Sequence, residues 1–160
     1  PMTRDEEALE AAWAAAAETV APVAADGEAA FVTIGDPKVY STFAHLERAL
    51  ESDHDVEVQA VPGVSVVTAF ATAMDVEIDG PAISLREARA GVPEDGPDHC
   101  LLLKVTEPEA VHEDLVAQGY DVTYGRRLFM DESTVTADPA ELEDSDYFTV
   151  AYGTREVGSG

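Results

Sequence analysis

Ala29-Ala30-Phe31-Val32-Thr33-Ile34-Gly35-Asp36-Pro37 and Asp55-Val56-Glu57-Val58-Gln59-Ala60-Val61-Pro62-Gly63-Val64-Ser65 are the stretches that decide the fold. Each begins as a short apolar or alternating run, the pattern of a strand. Each then breaks at a glycine beside a proline and passes into a helical pattern. The spacing predicts strands at Ala29–Ile34 and Asp55–Val61. Helices are predicted at Val39 to about Glu51, with Val39, Phe43, Leu46 and Leu50 on one face, and at Ser65–Met74. Upstream, Thr3 and Glu6 have capping-box spacing, and Leu9, Trp13, Ala16, Ala17 and Val20 recur at helical intervals. Residues 4 to about 20 therefore read as a helix, with Pro22 and Gly27 as its stop. Helix, strand, helix, strand, helix is the order of a parallel α/β sheet.

The second half predicts a strand at Ala82–Leu85, a loop over residues 91–98 and a strand at His99–Val105. That last run, HCLLLKV, is apolar enough to be buried on both faces. Pro108 fits the first turn of a helix at Glu109–Gln118, which Gly119 ends. Strands follow at Tyr120–Tyr124 and Tyr147–Gly153. A domain boundary near Ile78-Asp79-Gly80-Pro81 gives two α/β domains, residues 1–78 and 79–160.

Charge narrows the function classes. The chain of 160 residues carries 33 Asp and Glu against 9 Lys and Arg, a formal net charge of −24. Nucleic acid and anionic membranes both need a basic face and are poor partners for it. The 46% hydrophobic content excludes a disordered acidic chain. At this length about 70% of the unfolded surface can be buried. Carboxylates scattered along the chain, abundant Ala and only two lysines, Lys38 and Lys104, resemble proteins that work in molar salt. There the Debye length is about 3 Å and self-repulsion is screened. Lone Cys100 excludes an internal disulfide. No segment is long enough to span a membrane and no signal peptide is visible, so the expected location is the cytoplasm.

No reactive constellation stands out. His45, His54, His99 and His112 lack metal-ligand spacing, and no metal site is expected. Walker, G-x-S-x-G and G-x-G-x-x-G motifs are absent. The sharper features are the two glycine turns. Ligands bind beyond the carboxyl ends of strands in open α/β sheets, and glycine lets them reach the backbone. The alternative is that these are ordinary connections between strand and helix.

At these turns the sequence resembles a known family. Phe31-Val32-Thr33-Ile34-Gly35-Asp36-Pro37-Lys38-Val39-Tyr40-Ser41-Thr42-Phe43 is similar to the GDP-x-x-Y-S-T signature of tetrapyrrole methylases that act at C20 of precorrin-2. Pro1-Met2-Thr3-Arg4-Asp5 resembles the P-M-T-x-D before it, and Val61-Pro62-Gly63-Val64-Ser65 the V-P-G-[IV]-[ST] turn after it. Leu102-Leu103-Lys104-Val105 and Tyr147-Phe148-Thr149-Val150 resemble two strands of the family's second domain. The resemblance implies two α/β domains, S-adenosylmethionine as methyl donor, a tetrapyrrole as acceptor and a homodimer. It implies methylation at C20 of precorrin-2 or cobalt-factor II. Another member, acting at a different ring position or on diphthamide, and a non-catalytic fragment are the competing readings.

Carried over, the cofactor residues are Ile34, Gly35, Asp36, Val39, Ser41, Thr42, Ser65 and Val66, joined by Lys104, Leu128, Phe129 and Met130. Asp36 is equally placed to cap the helix after Pro37. No catalytic acid or base is implied, because an activated sulfonium needs mainly alignment and dryness. Tyr40 is the candidate ring beside the substrate, or else a buried tyrosine packing the loop. Substrate carboxylates call for arginine forks, and Arg86, Arg89, Arg126 and Arg127 are the candidates unless they bridge surface carboxylates. The family's first strand and its G-x-G-x-G-D-P loop precede P-M-T-x-D. The resemblance therefore implies that the chain begins inside its first domain and that activity belongs to a longer polypeptide.

Overall fold

A computed structural model describes residues 5–142 and 146–155, a mixed α/β chain. Thr3 of the expected capping box lies outside them. Contacts group the chain into two units dividing between Val66 and Val67.

The first unit holds helices α1 (Glu6–Asp26) and α2 (Phe43–Asp53). Asp5 is the N-cap of α1, accepting from the Ala8 N–H at 3.1 Å. The helix does not stop near residue 20. Ala21 continues the buried stripe begun by Ala17, so Pro22 is carried inside the helix and Gly27 ends it. Ala17 and Ala21 pack on Leu46 and Leu50 of α2, with Trp13, Val56 and Val58 at the margin. Burying each of the two leucines contributes about 1.5–3 kcal/mol. Helix α2 begins at Phe43, four residues later than the pattern suggests, because residues 37–42 are taken up by a turn.

The strands expected at Ala29–Ile34 and Asp55–Val61 do not form. Both segments run without helix or ladder, and no backbone hydrogen bond joins them to another segment among the described residues. A strand exists only by pairing, and apolar alternation cannot supply the partner. Val32 and Ile34 are consequently 88% and 84% exposed.

The second unit contains helix α3 (Val67 onward of Val66–Ala73), strands β1 (Ile83–Glu87) and β2 (His99–Leu103), and helix α4 (Pro108–Ala117). Strands β3 (Asp121–Arg126), β4 (Thr134–Thr136) and β5 (Thr149–Thr154) complete it. The sheet order is β1-β2-β5-β3-β4. Only β1 and β2 are parallel; β5 runs antiparallel to both β2 and β3, and β4 to β3. Thus β1, β2 and β3 share one direction, and their carboxyl ends lie at one end of the sheet. Strand β4 has no counterpart in the sequence pattern, being three residues long and half exposed.

All five β2 residues are buried, and the two-residue pleat divides them between two cores. Cys100 and Leu102 join Leu115, Tyr120, Tyr124 and Ala151 on the α4 face. Leu101 and Leu103 join Phe70, Met74, Val150 and Tyr152 on the α3 face. Lys104, at φ 58°, ends β2 one residue before Val105, which is still tied by its N–H to the Thr149 carbonyl.

At the far end of the sheet the His99 ring stacks on Tyr152, and its Nδ1 lies 2.5 Å from the hydroxyl. His99 is only 6% exposed. Tyr152→Phe strands that nitrogen and is expected to cost about 1–3 kcal/mol. Urea unfolding of the variant beside the parent chain measures the difference.

Candidate functional site

The first unit brings the two glycine turns together. Gly35 adopts φ +83°, a conformation that favours glycine. Asp36 then takes two backbone donors: Oδ1 accepts from the Lys38 N–H at 2.8 Å, and Oδ2 from the Gly63 N–H at 3.0 Å. The second bond spans 27 residues. It clamps the Gly-Asp-Pro turn to the Pro-Gly turn. The approach is so close that a Cβ on Gly63 would sit 2.2 Å from the Gly35 carbonyl oxygen. Only glycine fits there.

Asp36 therefore caps a turn and a neighbouring loop rather than a helix. Thr42 is the N-cap of α2, and Ser41 Oγ accepts from the Phe43 N–H at 3.2 Å. Both hydroxyl residues named in the sequence thus stand at the start of α2. Ile34, Val39 and Tyr40 are exposed beside the turn, Tyr40 at φ 50°. This corrects the alternative of a buried, packing tyrosine. Ser65 is half-buried and Val66 begins α3. A cavity of about 1210 Å³ lies inside this unit, lined by Gly35 and Gly63 together with Phe31, Phe43, Leu46 and Val58. Bare backbone at one edge and apolar side chains behind it can accept a ligand that is part polar and part apolar.

The second unit gathers Lys104, Arg126, Arg127 and Phe129 at the carboxyl ends of β2 and β3. Lys104 donates to Glu87 Oε1 at 2.6 Å and lies over the Tyr147 ring, 5.2 Å from its centre. Burial works to lower the lysine's pKa, but Glu87 and Tyr147 outweigh it and hold it raised. Glu87 is held low, chiefly by the hydrogen bond from Lys104 against the opposing effect of its own burial. Arg89 bonds the other oxygen of Glu87 at 2.5 Å.

Arg126 and Arg127 both donate to Asp146 Oδ2, at 2.7 and 2.9 Å. They hold a carboxylate of the chain itself, one that is buried rather than on the surface. Arg86 instead reaches the Gly91 carbonyl at 3.4 Å, so Arg86 and Arg89 have different partners within the chain. Leu128 packs against the α3-side core, while Phe129 and Met130 are exposed. Phe129 has φ 63°. Among the described residues no cluster of three or more His, Cys, Asp or Glu is placed to hold a metal ion. No helix among them is long and apolar enough to cross a membrane.

Sequence reading missed the Asp36–Gly63 clamp and the partners Glu87 and Asp146. The clamp has a signal, two Gly-containing breaks after similar runs. The two acids have none, being hidden among 33.

Comparison with known proteins identifies the family. The family model for Tetrapyrrole (Corrin/Porphyrin) Methylases matches residues 1–141. A cobalt-precorrin-2 C(20)-methyltransferase of Methanocaldococcus jannaschii is 41% identical over 78 residues, 49% of this chain. The match spans about a third (33%) of that relative's length. The cobalamin synthesis related protein CobF from Corynebacterium diphtheriae superposes with a TM-score of 0.70 at 17% identity, over 91% of this chain and 70% of that one. Uroporphyrin-III C-methyltransferase from Thermus thermophilus gives 0.66 at 18% identity, over 90% and 68%. A second structure of it, complexed with S-adenosyl homocysteine, gives 0.52 at 18% identity over 74% and 62%. With a matching model over most of its length and that fold in its structural neighbours, the chain belongs to the tetrapyrrole (corrin/porphyrin) methylase family.

Proposed function

We propose that the polypeptide to which this chain belongs transfers a methyl group from S-adenosylmethionine to C20 of precorrin-2 or its cobalt form. The observation that carries this reading is the clamp of the Gly-Asp-Pro turn to the Pro-Gly turn by Asp36. The two segments whose motifs match C20-acting members form one surface, without a Cβ at its centre. The C20 assignment is further supported by the 41% relative, and the choice of donor by the relative solved with S-adenosyl homocysteine.

The cofactor would supply a methyl already activated on sulfur. The chain's residues then have to align two reactants and exclude water, a contribution of about 7–11 kcal/mol when alignment is good. Gly35 and Gly63 offer backbone at close range. Ser41 and Thr42 present hydroxyls at the start of α2. Ile34 and Val39 supply apolar cover. In the second unit Glu87 fixes the Lys104 ammonium, and Phe129 and Met130 are exposed. None of these groups needs to exchange a proton, which agrees with the lack of a reactive constellation.

Calorimetry with S-adenosylmethionine, followed by transfer of a labelled methyl to precorrin-2 by the full polypeptide, tests the reading. Label at C20 is the expected result; label at another ring carbon overturns the position and keeps the family. Asp36→Ala removes the bond that holds the two turns together and the one within the first turn. It is expected to weaken cofactor binding about tenfold, equivalent to about 1.4 kcal/mol.

A further inference from the structure

Lys104 ends β2 at φ 58°, a left-handed conformation that glycine or asparagine fills more readily than lysine. Arg127, Phe129 and Glu132 share that conformation just beyond β3. Backbone strain of this kind gathers at sites that bind or react. The strained residues meet around the entry of β5. The Val105 N–H bonds the Thr149 carbonyl at 2.9 Å, and the Arg127 N–H bonds the Phe148 carbonyl at 3.0 Å. Tyr147 and Phe148 thus lead into β5 between the carboxyl ends of β2 and β3.

The lysine ammonium is held in place. It donates to Glu87 Oε1 at 2.6 Å and stands 5.2 Å from the centre of the Tyr147 ring. Glu87 lies on β1 opposite Leu103, and its other oxygen takes Arg89 Nε at 2.5 Å. Two cations therefore share one carboxylate, and no other carboxylate among the described residues pairs with either. The trio keeps one positive charge in excess, in a chain whose net charge is −24. The Lys104 side chain is 27% exposed, which leaves it open to a group from solution. The half-exposed rings of Tyr147 and Phe148 stand beside it. Such rings offer faces to a flat conjugated molecule, and the surplus charge offers an anchor for an anion on its rim.

We propose that Glu87 is a positioning residue, holding the Lys104 ammonium to receive a rim carboxylate of the methyl acceptor beside Tyr147 and Phe148. This rests on the reading above that the acceptor is a tetrapyrrole. Charge selects acceptor over donor. S-adenosylmethionine carries a sulfonium and an ammonium against one carboxylate, so a surplus cation opposes it on balance, whereas the acceptor's acidic side chains are attracted. Lysine is a point charge on a flexible stem, and Glu87 removes the freedom that would otherwise make it a loose anchor.

Calorimetric titration of the full polypeptide with precorrin-2, under exclusion of air, and separately with S-adenosylmethionine tests it. Lys104→Met keeps the stem and loses the charge. It is expected to weaken precorrin-2 binding about tenfold, the worth of one charge-assisted hydrogen bond, and to leave the donor's Kd within about twofold. Glu87→Gln should weaken the acceptor about threefold, as loss of a partly exposed ion pair would, and Glu87→Asp should recover part of it. A purely structural link between β1 and β2 would instead weaken both ligands together. The proposal is overturned by acceptor binding that Lys104→Met keeps, by equal loss for both ligands, or by a greater loss for the donor. Failure of the parent polypeptide to bind precorrin-2 overturns the tetrapyrrole reading with it, whereas retention by Lys104→Met overturns the proposal alone. If Lys104→Met does not fold, Glu87→Gln and its rescue by Glu87→Asp decide on the same split between acceptor and donor.

Discussion

Gly63→Ala is expected to abolish measurable S-adenosylmethionine binding and to lower methyl transfer at least about 100-fold, because a misplacement near 1 Å costs that much. The added Cβ would meet the Gly35 carbonyl oxygen at 2.2 Å, its carbonyl carbon at 3.1 Å and the Asp36 Cα at 3.4 Å. All three are backbone atoms, so no side chain can rotate away. The turns must separate, and the Asp36 bond to the Gly63 N–H goes with them. Overpacking of this kind costs about 1–3 kcal/mol in stability. Gly27→Ala is the control. Its φ of −179° lies outside the left-handed region, and its Cβ would find nothing nearer than 4.0 Å. It should keep the stability of the parent chain, which separates the clash from the effect of an added methyl group. Unchanged binding by Gly63→Ala would show that the clamp has no part in the site.

Asp146→Ala is the second large effect, with an expected loss of about 3–5 kcal/mol. Asp146 is 6% exposed at its side chain and serves Arg126 and Arg127 together. It also accepts from the Phe148 N–H at 3.0 Å. Removing it leaves Arg126, itself 12% exposed, without that counterion. Burial alone would raise the pKa of Asp146, but the Phe148 N–H and the two guanidiniums outweigh it and hold the carboxyl low. A carboxyl depressed in the folded state adds stability that is complete above its unfolded pKa. That stability is lost as pH falls through the folded value. Acid titration of the parent chain should therefore show a loss below the usual carboxylate range, and Asp146→Ala should lack that component.

The second unit was far more legible in sequence than the first. HCLLLKV could only be a strand buried on both sides, and the pleat distributes its residues between two cores as expected. Its limits were set by details that hydropathy does not carry, such as the positive φ of Lys104. In the first unit the same reading found two strands where none pairs. Alternation in Asp55–Val61 reports a preference for extended backbone, while a ladder needs a neighbour that no local pattern encodes. For the site, Gly35, Asp36 and Gly63 were visible as turn residues, yet their contact across 27 positions was not. The arginines were visible as cations, but the carboxylate or carbonyl each one meets was lost in the acidic background.

The unpaired segments around Val32 and Val61 carry a colloidal consequence. Open backbone beside exposed valine and isoleucine is a template on which a second copy can add. At low ionic strength a charge of −24 on each copy opposes that encounter. Salt shortens the reach of the repulsion without weakening apolar association, and sulfate strengthens it. Self-association of this polypeptide in isolation should accordingly set in as salt rises, with the net charge acting as the gatekeeper that the open edges lack.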